Sequence, residues 1–101
     1  MEKISILLGK KIIKIELVYD YYHILLSDNI YLNVFNKSSY THESLDKFIN
    51  ETIIEVKENK NLLLFITNTN SCFCVSLNEN DYNGPEVLSI YKNNKLYTIW
   101  D

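Results

Sequence analysis

The 101-residue chain has no arginine, no alanine and no glutamine, and only two glycines, one proline and two cysteines. Its formal net charge is −3. It therefore lacks the clustered positive charge and forked guanidinium contacts on which binding to a phosphate backbone rests, and direct nucleic-acid binding is not expected. Gly9 and Gly84 alone cannot build a glycine-rich phosphate loop. A chain this poor in glycine also has few strained turns in which to set catalytic side chains, so neither enzymatic activity nor a cofactor is expected. Cys72-Phe-Cys74 lacks the Cys-x-x-Cys turn of a zinc knuckle. On a strand its two thiols share a face, and they read as small buried apolar residues rather than metal ligands. No apolar run reaches the length of a membrane span, and residues 4–8 are too short for the core of a signal peptide. A cytosolic protein with reduced cysteines is the expectation.

What the chain does contain is strand-forming residues: thirteen isoleucines, eight tyrosines and four phenylalanines, side chains that fit a pleated surface. An apolar fraction of 47% is enough for one domain to close its own core. The central stretch is 61–77. Residues 62–66 and 72–77 are two apolar runs separated by Thr67-Asn-Thr-Asn-Ser71, the pattern of a hairpin. The first run has no polar alternation, which predicts a strand covered on both faces. Residues 12–19 alternate around Lys14 and Glu16, and 21–27 and 30–35 flank the turn Ser27-Asp28-Asn29. Strand character resumes at 52–58, and a last hairpin, 87–91 and 95–100, flanks Asn93-Asn94, a pair that tolerates positive φ. One helix is expected over 42–50. Thr41 would cap it, Leu45, Phe48 and Ile49 give it an apolar face, and Asn50 would stop it.

A repeat runs through this order. Ile12-Ile13-Lys14-Ile15-Glu16 is echoed by Ile53-Ile54-Glu55-Val56-Lys57, and in each half an apolar strand, a polar turn and an alternating strand follow. The expected fold is mainly β. One antiparallel meander covers about 4–35, a short helix links the halves, and a second meander with the final hairpin covers about 52–100. The two meanders pack as a sandwich or open barrel. A single twisted sheet carrying the helix is the alternative.

Charge is unevenly placed. Residues 1–14 carry four lysines against Glu2, whereas 15–58 hold eight acids and three lysines, so a basic protein is the easier partner to complement. His23 and His42 are the only candidates for general base work, and neither sits in a nucleophile motif. Glu79, Asp81 and Glu86 share one loop with Tyr82, and Asp20 sits among Tyr19, Tyr21 and Tyr22. That loop lacks the alternating ligand spacing of a calcium site. Tyrosine offers large contact area at low entropy cost, and carboxylates meet lysine and arginine, so these loops compose a recognition surface. The same residues also suit half-buried strand positions and a soluble surface. The candidate contact residues are Asp20, Tyr21, Glu79, Asp81, Tyr82 and Glu86.

Taken together, the opening Leu8-Gly9-Lys10-Lys11-Ile12, the doubled meander turning first at Ser27-Asp28-Asn29, the Gly84-Pro85-Glu86 lead-in to the last hairpin and the aromatic end at Trp100 form a pattern. It resembles small bacterial immunity proteins, the cytosolic antidotes encoded beside polymorphic or contact-dependent growth-inhibition toxins. The resemblance implies a protein that binds a cognate toxin, often a basic nuclease domain, and blocks its active site or substrate-recruiting surface. The other reading is a non-catalytic structural or homo-oligomeric β interaction module, for instance a homodimer, whose exposed aromatics bury against its own copy.

Overall fold

A chain of strands needs left-handed backbone at its turns, and with almost no glycine those positions fall elsewhere. The computed structural model describes residues 2–78 and 87–100. Among these, positive φ occurs at Gly9 (78°), Asp28 (64°), Asn29 (59°), Asn50 (75°), Asn70 (65°), Asn93 (54°) and Asn94 (65°), and also at Tyr19 (56°). Asparagine and aspartate tolerate this region because their short polar side chains bond locally. Tyr19 has no such excuse.

Between the turns lie nine strands among the described residues: β1 (Ile12–Val18), β2 (Tyr21–Leu26), β3 (Ile30–Val34), β4 (Ser38–Tyr40), β5 (Ile53–Glu58), β6 (Leu62–Thr67), β7 (Cys72–Ser76), β8 (Leu88–Lys92) and β9 (Lys95–Trp100). They form two antiparallel sheets, β1-β2-β3-β8-β9 and β4-β7-β6-β5. The expected mainly β, two-layer fold is what is found. β4 follows the first meander but pairs with β7 of the second, and β8 follows the second meander but pairs with β3 of the first. Each half thus lends a strand to the other, which binds both into one unit.

The sequence repeat becomes a pseudo-twofold relation, with equivalent residues forty-one positions apart. Gly9 and Asn50 are equivalent left-handed residues. The Gly9 N–H donates to the Ile53 carbonyl (2.8 Å) as Asn50 N–H donates to that of Ile12 (2.7 Å), and Ile12 N–H donates to Glu51 (2.7 Å) as Ile53 N–H donates to Lys10 (3.0 Å). Both opening strands slip register at the same place, between Ile12 and Lys14 and between Ile53 and Glu55. These bonds, with the antiparallel bridge between Lys11 and Thr52, stitch the β1 and β5 edges together.

Alternation along the strands sends Ile24, Leu26, Ile30, Leu32, Val34, Leu88 and Ile90 from one sheet and Leu63, Phe65, Phe73 and Val75 from the other into a single core. Tyr22 meets Phe73 edge-to-face across the layers at 5.3 Å. Phe48 is fully buried with its ring 4.5 Å from that of His42 and 6.2 Å from that of Phe73. No helix among the described residues is long and apolar enough to cross a membrane.

Three sequence expectations are corrected. The helix over 42–50 is a single 3-10 turn, Leu45–Phe48. Thr41 does not cap it. Its N–H donates to the Cys72 carbonyl (3.1 Å) and its Oγ1 accepts from the Cys72 N–H (2.9 Å), extending β4 along β7. With Asn50 tied to Ile12 as well, too few residues remain to nucleate an α-helix, and Ile49 stays 38% exposed. The first meander begins at Ile12, not residue 4, because Glu2–Leu7 is also a 3-10 turn. Its buried Ile4 and Leu7 stand three apart, which suits that helix. Finally, β6 is central in its sheet but not covered on both faces. Leu63, Phe65 and Thr67 point inward, while Leu62, Leu64 and Ile66 lie partly exposed outside.

Candidate protein-recognition surface

β1 and β2 are joined by a two-residue turn, Tyr19-Asp20, closed by the Val18/Tyr21 pair. Nothing in Asp20 requires left-handed backbone, and the strain falls on Tyr19, where an L side chain crowds its own carbonyl. Tyr19 is also 94% exposed. A bulky ring held in a disfavoured conformation without packing to compensate makes Tyr19 a candidate for a role outside folding. Asp20 is exposed and makes no ion pair among the described residues. Glu43 and Glu58 are likewise exposed and without an ion pair among the described residues, whereas three further carboxylates are matched within the molecule. Lys10 donates to Asp28 at 2.8 Å, holding its carboxyl below the usual range. Lys14 stands 3.6 Å from Glu16 and Lys57 stands 3.8 Å from Glu55.

Tyr21 faces outward and rests on Phe35, ring centroids 5.5 Å apart. The Phe35 N–H donates to the carbonyl of Val87 (2.8 Å). Val87 thus lies at the same end of the five-stranded sheet as Tyr19, Asp20 and Tyr21. Glu79, Asp81, Tyr82 and Glu86 lie outside the described residues. Of the six contact residues expected from sequence, Asp20 and Tyr21 are neighbours at that end. Tyr19 is the one composition undervalued, because its φ is invisible until the turn is closed.

The outer face of this sheet continues the aromatic surface. Strand register sets Glu16, His23, Asn33, Ser89 and Ile99 in one row and Lys14, Leu25, Tyr31, Tyr91 and Leu96 in the next. Tyr31 and Tyr91 stack at 4.8 Å and 9°, and His23 tilts onto Tyr31 at 5.1 Å. His23 Nδ1 donates to Asn33 Oδ1 at 2.8 Å. In the row of His23 and Asn33, Ser89 is 2% exposed, and its hydroxyl has no partner among the described residues. The 30–35 alternation was the signal for these outward rings.

A second polar cluster joins the halves. Glu51 binds His42 Nε2 (2.8 Å) through one carboxylate oxygen and accepts from Thr67 Oγ1 (2.7 Å) through the other, and the hydroxyls of Thr69 and Ser71 continue the chain. Burial pushes the Glu51 carboxyl up, but donation from Thr67, Thr69 and His42 outweighs it and holds the group below its ordinary value. The hydroxyls run from the carboxylate and not from the imidazole. That is the reverse of the order in which an imidazole activates a nucleophile, so the cluster ties β5, β6 and the 41–50 connection together.

Cys72 and Cys74 project from the outer face of the other sheet. They are half-buried rather than buried as expected, because β4 alongside is only three residues long and sets the small Ser39 opposite Cys74. No group of three or more histidine, cysteine or acidic side chains among the described residues could hold a metal. No family model matches the chain, and neither a curated protein nor a solved structure matches it.

Proposed function

We propose that this chain is a cytoplasmic immunity protein that binds a cognate, basic bacterial toxin of the nuclease kind and neutralises it by covering its active or substrate-binding surface. The observation that carries the reading is the β1–β2 turn. Tyr19 stands almost wholly in solvent at a φ of 56°, beside an Asp20 that no described residue neutralises. Tyrosine beside an unmatched carboxylate is what a contact surface for lysine- and arginine-rich protein requires. The ring fills a pocket, and the carboxylate takes the place of a substrate phosphate. The overall charge of −3 and the resemblance to immunity proteins support the same partner.

The test looks beside this chain's gene for an open reading frame ending in a toxic domain and uses that domain as partner; the lack of any such neighbour would count against the reading. Wild-type protein is expected to restore growth to cells making that domain and to inhibit it at one-to-one stoichiometry. Asp20→Lys is expected to weaken binding by about 10- to 100-fold, with slower association in low salt. Association of the wild type that does not slow as salt rises, or full protection by Asp20→Lys, would refute the electrostatic mechanism.

A further inference from the structure

On β7, Cys72 and Cys74 are two residues apart with Phe73 turned into the core between them. Their sulfurs are 3.2 Å apart. The shared face is set by the backbone. β7 is an inner strand, bonded to β4 on one side and β6 on the other, and Thr41 fixes both the N–H and the carbonyl of Cys72. Side chains at i and i+2 project from one face roughly 6.6 Å apart at the backbone, so the sulfurs meet by side-chain rotation and can open again without moving the strand. Their outward neighbours across β6 are Ile66 beside Cys72 and Leu64 beside Cys74, while Ser39 of β4 lies opposite Cys74. Both histidines are committed elsewhere, His23 to Asn33 on the other sheet and His42 to Glu51.

We propose that Cys72 and Cys74 form a two-coordinate site for a thiophilic monovalent cation, Cu(I) being the natural occupant. The ligand count selects the metal. Zinc needs four ligands of this type or three and a water, and two thiolates alone cannot supply them. A soft d10 monovalent ion is satisfied by two thiolates, which hard cations avoid. Binding exchanges two S–H protons for two S–Cu bonds, leaving a complex of charge −1 with copper unchanged in oxidation state. The half-buried position lets the ion enter, and Leu64 and Ile66 limit competing water. In the empty site, burial and the neighbouring sulfur push the Cys72 thiol up to about 12.

The test is anaerobic competition for Cu(I) between the reduced protein and a chromophoric chelator, bicinchoninate. One Cu(I) per chain is expected to be retained, more tightly as pH rises because two protons leave. Cys72→Ser and Cys74→Ser are each expected to weaken retention by about 100-fold or more, with His42→Ala unchanged. Copper-edge X-ray absorption is expected to show two sulfur scatterers. Complete loss of Cu(I) to the chelator, one metal per two chains, a nitrogen scatterer, or full retention by either serine variant would each overturn the site. Thermal unfolding of the metal-free serine variants, expected to match the wild type, separates loss of ligand from loss of fold.

Discussion

Tyr19→Asn isolates the feature on which the functional reading rests. Tyr19 is 94% exposed, so removing its ring gives up almost no packing, while its φ of 56° places it where an ordinary L residue is disfavoured by about 1–2 kcal/mol. Asparagine already occupies five of the other left-handed positions among the described residues and relieves most of that penalty. The variant is expected to be more stable than the wild type by about 0.5–1 kcal/mol, raising the thermal midpoint by about 2–8 °C for a domain of this size. The assay is urea unfolding followed by circular dichroism, with the slope checked for constancy so that a midpoint shift reports stability alone. In parallel, the proposed function predicts that the same variant binds its toxin partner less tightly. A variant that is equally or less stable would show that no strain is stored at the turn. A stabilised variant that binds undiminished would show that the strain serves something other than recognition.

Phe48→Ala is expected to cost about 3–5 kcal/mol, since a fully buried ring packed against His42 and Phe73 leaves a cavity. A loss under about 1 kcal/mol in urea unfolding would mean that the 41–50 connection is a detachable flap. Ser89→Ala removes a buried hydroxyl without a partner among the described residues and is expected to be neutral or stabilising by up to about 1 kcal/mol; clear destabilisation in the same assay would reveal a hidden partner. Glu51 has a lowered folded-state pKa. Between that value and its higher unfolded value the unfolded chain binds more protons, so the stability it contributes is full above the ordinary carboxylate range and fades as pH falls through the folded value. Glu51→Gln is expected to be less stable at neutral pH and to show a shallower decline in urea midpoint below pH 5. Parallel pH profiles for the two proteins would refute this.

Much of the architecture is readable from residue order because it depends on local rules. Period-two alternation marks the strands, polar clusters mark the turns, and the echo of Ile12-Ile13-Lys14 in Ile53-Ile54-Glu55 marks two equivalent halves, down to matching register slips. In a chain with two glycines, asparagine pairs such as Asn93-Asn94 even show where the backbone turns left-handed. Long-range pairing is another matter. The apolar spacing of Leu45, Phe48 and Ile49 is helical, yet competition from β7 for Thr41 and from β1 for Asn50 leaves one 3-10 turn, because hydrogen bonds to neighbouring strands outbid a helix too short to nucleate. Likewise, no local signal says that β4 and β8 cross to the other half or that Tyr19 takes the left-handed position of its turn. Those facts arise only when two sheets close on one core, since that closure fixes which edges remain open and which residues must bend to let them meet.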